Sequence, residues 1–219
     1  SGTDGSRFSP NGTLTRAMLS QILYAMEDKP AVSGAANCVG DIGTHIENYV
    51  HYVTGLKIKR LIATTNKYGK ALDLNANIIV EYENGVNGAY WCSQVAAGHY
   101  NGLAVRVYGD KGALEWAQED PEHLRYTPMD GATQVLARGT GCIKEKAAAQ
   151  GRLPSGHPEG LVTAFANIYR NYVSALVALK NGGDASGYDY PHVEDGVNGV
   201  RFVKAVVESA ANGSKWVEV

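Results

Sequence analysis

Between Leu74 and Val95 the chain is patterned as two facing strands. Leu74, Ala76, Ile78, Val80 and Tyr82 alternate with Asn75, Asn77, Glu81 and Glu83. A period of two sends one set to each face of a strand, so one face is apolar and the other polar. Asn84-Gly85 follows, and residues 86–95 again read as a strand. An Asn-Gly pair accepts the positive φ angles of a tight hairpin, so the two runs are predicted to pair antiparallel. The neighbouring segments extend this pattern. Residues 58–65 are rich in β-branched side chains, and Leu103, Val105 and Val107 alternate. Asp110-Lys111-Gly112 turns into a strand over 113–116, and 123–127 reads as one more. No helix separates these strands, so antiparallel pairing is expected in place of βαβ crossovers.

Helical periods flank the strand-rich block. Ile42, Ile46, Tyr49, Val50 and Val53 predict a buried stripe on a helix from Asp41 to Thr54, with Gly55 just past its end. A long helix is predicted from Pro158, with Leu161, Phe165, Ile168, Tyr172, Leu176 and Leu179 as its buried face and Gly182 beyond it. A last helix over 193–211 turns Val197, Val200, Val203 and Val207 inward. Residues 138–154 are irregular, with a short helix around 144–150. A further short helix over 17–27 ends at Lys29-Pro30, because the residue before proline avoids the α region. The expected fold is α+β: an open, mostly antiparallel sheet with helices packed on one face, and no complete Rossmann domain.

Composition removes several classes of function. The 219 residues carry 20 Lys+Arg against 22 Asp+Glu, a formal charge of −2. A chain without a basic excess is not expected to bind nucleic acid through phosphates. No apolar run reaches the length of a membrane span. No charged start followed by an apolar stretch marks a signal peptide, so a cytoplasmic location is expected. Cys38, Cys92 and Cys142 are three and widely spaced, which fits free thiols, Cys38 being a small buried filler. His123 and His192 lack partners at ligand spacing, and no metal site is expected.

Two constellations carry chemistry. In Asp41-x-x-x-His45 the residues stand four apart at a helix start, so carboxylate and imidazole share one face. Acid–base work on a hydroxyl or carbonyl needs a group that ionises near neutrality, and histidine is the natural candidate. An Asp helix cap beside an unrelated histidine gives the same spacing. Asn37 and Cys38 precede the pair and are placed to line the same pocket. The second constellation is Gly156-His157-Pro158-Glu159-Gly160. Proline in a first helical turn brings His157 to the cap, beside backbone N–H groups that can meet a polar ligand; the same residues also serve as a plain helix start. No G-x-G-x-x-G follows a strand. Gly139-Thr140-Gly141 comes nearest and lacks the third glycine and the context, so no cofactor-binding residue is assigned.

From Gly40-Asp41-Ile42-Gly43-Thr44-His45 onward the chain resembles the C-terminal domain of the Gfo/Idh/MocA (glucose–fructose oxidoreductase/inositol dehydrogenase) family. GDIGTHIENYVHYVTGL, VRVYGDKGALEW, GHPEGLVTAFANIY and YPHVEDGVNGVRFVKAVVESAANG carry the resemblance over residues 35–219. It implies an open antiparallel sheet domain that binds a sugar, cyclitol or related polyol and forms homo-oligomers through its sheet face. It also implies hydride exchange with NAD or NADP held by an N-terminal Rossmann domain. His45 would be the acid/base, Asp41 its orienting partner or a hydroxyl ligand, and His157 and Asn37 substrate contacts. Glu27-Asp28-Lys29-Pro30 looks like the family's Glu-Lys-Pro motif but ends a helix with no dinucleotide fold before it.

Residues 1–34 instead resemble the second half of a surface-layer homology repeat, through Phe8, Pro10, Thr15, Arg16 and Ala17. That likeness implies a cell-wall polymer as a partner, and a cell-surface location if it is functional. These residues are too few for a cofactor domain, so this chain alone is not expected to bind the dinucleotide or to turn over. A non-catalytic binding or assembly module is the alternative reading.

Overall fold

The structure, a computed structural model, describes residues 36–219. The predicted helix over 17–27 and the surface-layer-like segment 1–34 lie outside the described residues. The described chain divides into two units, residues 36–96 with His192–Val219, and Ala97–Pro191.

In the first unit a π-helical turn, Val39–Gly43, leads into α1, Thr44–Thr54. Gly55 ends α1 with φ 69°, a left-handed geometry that glycine takes without a Cβ clash. Strands β1 (Ile58–Asn66), β2 (Asn75–Tyr82) and β3 (Asn87–Ser93) follow, with Gly85 at φ 84° in the predicted hairpin. All pairs are antiparallel. Leu61 faces Val80, Ala63 faces Ile78, Ala76 faces Cys92, and Ile78 faces Tyr90. Every one of these residues is buried, so the period of two in the sequence becomes one continuous apolar face. The opposite face carries Asn77, Ile79 and Trp91, with Ile79 46% and Trp91 55% exposed.

The last helix of this unit, Val193–Ala211, closes the core against β1. Its deep stripe is Gly199, Phe202, Ala205, Val206 and Ser209. The four predicted inward valines are half-buried flanks of that stripe. The shift has a polar cause as well as an apolar one. Ser209 Oγ accepts the Ala63 N–H at 2.9 Å and donates to the Lys215 carbonyl at 2.6 Å. It thereby completes the hydrogen bonding of β1 beside the two-residue edge strand Val217–Glu218. On α1, Val53 is 46% exposed against expectation, and Glu47 is buried instead.

The second unit is a meander of β4 (Ala104–Gly109), β5 (Gly112–Ala117), β6 (Asp120–Pro128) and β7 (Gln134–Ala137), each antiparallel to the next. β7 is short and without alternation, and periodicity did not mark it. The strands thus form two four-stranded antiparallel sheets. A short α2 (Glu145–Ala148) and a long α3 (Leu161–Lys180) complete the unit; the first-unit helix Val193–Ala211 is α4, and Val217–Glu218 is β8.

Helix α3 corrects the sequence reading twice. It starts at Leu161, after Gly160, and not at Pro158. Its predicted buried face is exposed: Leu161 64%, Phe165 52%, Tyr172 46%, Leu176 46% and Leu179 56%. Asn167 and Ala175 are the buried residues of the helix. Helical periodicity identifies an apolar stripe but not what covers it.

Candidate functional site

Asp73 organises the start of the helix that bears Asp41 and His45. Its carboxylate accepts the Asn37 N–H at 2.6 Å and the Val39 N–H at 2.9 Å. These are donors that a helix start leaves without intrahelical partners. Asp73 lies just ahead of β2 and is 6% exposed. Burial pushes its acidity down, but the bonds from Cys38 and the two backbone N–H groups outweigh that and hold its pKa below the usual carboxylate value. The cap of this helix is therefore supplied from across the chain, and Asp41 is not its cap.

Asp41 lies inside the π-helical turn, with its backbone N–H on the Asn37 carbonyl at 2.9 Å. Its side chain is exposed, and Oδ2 accepts a hydrogen bond from Gln94 Nε2 at 3.3 Å. The Asn37 amide donates to the same glutamine's Oε1. The fold thus brings Asn37 and Asp41 together through one residue that the sequence did not single out. His45 follows in the first turn of α1, exposed, four residues from Asp41. Thr44 Oγ1 bonds the Gly40 carbonyl at 3.0 Å and firms the turn between them.

Beneath this surface the groups are buried. Cys38 and Cys92 bring their sulfurs to 4.0 Å, and contact with the second thiol, burial and Asp73 all push the Cys38 thiol up. All three cysteines are free thiols, Cys142 on the surface. Glu47 is 7% exposed, and among the described residues its Oε2 has no hydrogen-bond partner. Burial raises its pKa to about 6, with His51 opposing the shift and Asp195 adding to it. The Tyr82 and Tyr90 hydroxyls meet at 2.7 Å, and both are pushed up by burial.

His157 belongs to the second unit and is exposed. The segment that carries it is held by charge. Arg138 donates to Glu122 at 2.8 Å, to Glu159 at 2.9 Å, and to the carbonyls of Leu153 (2.9 Å) and His157 (2.5 Å). Glu159 also accepts the N–H groups of Leu153 and Arg152 at 2.6 and 2.7 Å, and the Leu153 bond leads in holding its pKa low. The Glu159 N–H goes to Glu122 at 2.8 Å. This clasp uses up the backbone groups ahead of Leu161 and accounts for the late start of α3. Charged residues 16 and 21 apart leave no local sequence signature, so Arg138 and its partners were not foreseen.

Among the described residues, no three His, Cys, Asp or Glu side chains converge to hold a metal ion, and no helix is long and apolar enough to cross a membrane. His123 pairs with Asp120 at 2.7 Å, and the His192 N–H is capped by Asp195 at 2.7 Å. Gly139-Thr140-Gly141 lies in a turn after β7, a Cβ on Gly139 would press the Ser155 backbone at 2.9 Å, and only the four-residue α2 follows.

Comparison with known proteins agrees with this architecture. A family described as "Oxidoreductase family, C-terminal alpha/beta domain" matches residues 27–219. An uncharacterized oxidoreductase, YfiI, of Bacillus subtilis (strain 168) is 34% identical over 200 residues, covering 86% of this chain and 50% of that protein. An oxidoreductase from Sinorhizobium meliloti superposes with a TM-score of 0.78 at 37% identity, over 91% of this chain and 61% of that one. An inositol dehydrogenase homolog from Azotobacter vinelandii, solved with NADH and myo-inositol, gives 0.78 at 31% identity, over 92% and 61%. This chain therefore spans about half to three-fifths of the length of these relatives. The match begins at residue 27 and overlaps the end of the surface-layer-like stretch. From Asp41-x-x-x-His45 to the last helix, the chain belongs to the Gfo/Idh/MocA oxidoreductase family and carries its C-terminal alpha/beta domain.

Proposed function

We propose that this chain is the substrate-binding domain of an NAD(P)-dependent oxidoreductase that acts on a cyclitol, sugar or related polyol. The observation that carries the reading is the helix start built on Asp73. It carries half-buried Asn37 and exposed Asp41 and His45 on one segment capped by Asp73. Polyol recognition needs several hydrogen-bonding groups with fixed spacing, and capped backbone supplies that fixity. The myo-inositol bound in the Azotobacter vinelandii relative supports the substrate class.

In this reading His45 takes the proton of the reacting hydroxyl while hydride leaves the same carbon, and it returns the proton in the reverse direction. Asp41 accepts a hydrogen bond from a neighbouring hydroxyl. Asn37 and His157 are proposed as further polar contacts to substrate. A nicotinamide supplied by a nucleotide-binding domain would take up the hydride; no described residue here is given a part in holding it. The outer sheet face, with Ile79 and Trp91 exposed, is proposed as a homo-oligomer surface, which light scattering on Trp91→Glu tests.

The decisive experiment is polyol oxidation with this domain joined to a nucleotide-binding domain of the same family. His45→Ala should lower kcat by on the order of 10²- to 10⁴-fold. A rate within a few-fold of wild type removes His45 from the chemistry.

A further inference from the structure

We infer that Gln94 is a positioning residue for Asp41, the middle member of a polarised hydrogen-bond chain from Asn37 through Gln94 to Asp41. The direction of this chain follows from elementary donor and acceptor accounting. An ionised Asp41 can only accept, so Gln94 must turn its amide Nε2 toward Oδ2, where it sits at 3.3 Å. The Gln94 carbonyl Oε1 must then face the other way and needs a donor. Asn37 Nδ2 is that donor. Asn37 in turn is left with its own Oδ1 as an acceptor. Reversing Gln94 sets donor against donor and oxygen against carboxylate, and reversing Asn37 sets oxygen against oxygen.

The two ends of this hydrogen-bond chain are not equally tied. The Asn37 backbone is tied to the buried Asp73, and Gln94 follows β3 with its own N–H on the Leu74 carbonyl at 2.8 Å. Asp41 is exposed, and among the described residues Gln94 makes the one hydrogen bond to its carboxylate. Gln94 therefore sets which Asp41 oxygen is engaged and leaves Oδ1 open toward an incoming hydroxyl. A glutamine one residue past the end of a strand has no sequence signature for this; the register that places Asn75 beside Ser93 brings it there. This inference rests on the reading of Asp41 as a substrate ligand and deepens it: Gln94 governs binding geometry, not proton transfer.

The test is a carboxyl-carbon NMR titration of Asp41 in the full chain, for wild type, Gln94→Leu and Gln94→Glu. A carboxylate at position 94 should raise the Asp41 midpoint by on the order of one pH unit, since like charges at hydrogen-bond range oppose ionisation. Gln94→Leu removes the acceptor of the Asn37 side-chain amide and should release that amide. With a nucleotide-binding domain joined, the KM for myo-inositol should rise roughly tenfold in Gln94→Leu with kcat changed less than about threefold, the loss expected of a ground-state binding contact. An Asp41 midpoint and Asn37 amide unchanged in both variants overturns the proposal. If the titration behaves as expected but wild type neither binds nor oxidises a polyol, the chain of hydrogen bonds stands and the functional reading fails.

Discussion

The two units of this molecule are held by different forces. In the first, Leu61, Ile78, Val80, Phe202 and Val206 are almost fully buried between β1, β2 and α4. Apolar area removed from water is the main stabiliser there, at about 25 cal/mol per Å². In the second, the apolar stripe of α3 stays in solvent, while a guanidinium and two carboxylates clasp the segment ahead of it. The same sequence signal, apolar residues at helical spacing, thus ends in two outcomes. A stripe with a sheet to cover it becomes core. A stripe without one becomes surface, and the segment beside it is fixed by ion pairs and backbone hydrogen bonds.

Truncations in the two stripes should therefore diverge. Phe202→Ala should cost the most, about 3–5 kcal/mol, because it empties a fully buried site between α4 and the sheet. Urea unfolding gives the value; a loss under 1 kcal/mol would mean that the site collapses or is wet. Asp73→Ala comes next, at about 3 kcal/mol, since two backbone N–H groups lose a charged acceptor. Hydrogen exchange should rise first in residues 37–41. Protection retained there would show that the cap is not what holds the helix start.

The buried carboxylates sharpen the contrast further, because they act in opposite directions. Folded Glu47 keeps its proton up to about pH 6, against 4.5 for an unperturbed glutamate. Between those values the folded state binds more protons than the unfolded one, so stability falls as pH rises through that window, by about 2 kcal/mol. Glu47→Gln should erase this slope, measured as the difference from wild type in urea midpoints at pH 4.5 and 7.5. Asp73 is shifted down, so its contribution is present above the unfolded value of 3.8 and is lost as pH falls through the folded one. Smallest of all should be Leu176→Ser on the exposed stripe of α3, within about 0.5 kcal/mol by the same unfolding measurement. A cost above 2 kcal/mol would show that this stripe is covered after all.

Legibility followed the range of each interaction. The hairpin at Asn84-Gly85, the alternation of β2 and the positive-φ glycine after α1 are local, and the sequence states them directly. Asp41, His45, Asn37 and His157 could be named because motif spacing is local too. Their supports were invisible. Asp73 reaches back 36 residues to Asn37, Gln94 reaches 53 to Asp41, and Arg138 reaches 21 to Glu159. Single polar residues at such distances leave no period and no spacing. The face of α4 was misjudged by a fraction of a turn because valine marked the pattern while Ser209 and Gly199 did the packing. On α3 the stripe was read correctly as apolar and wrongly as buried.

Substrate is proposed to meet the surface built on Asn37, Asp41 and His45. Backbone and side-chain NMR shifts of the isotope-labelled chain, joined to a nucleotide-binding domain with reduced dinucleotide and titrated with myo-inositol, test it most directly. Saturable shifts concentrated at Asn37, Asp41, His45 and Gln94 are expected, lost in Asp41→Asn with the fold intact. Saturable shifts elsewhere that leave these four residues unmoved would contradict it.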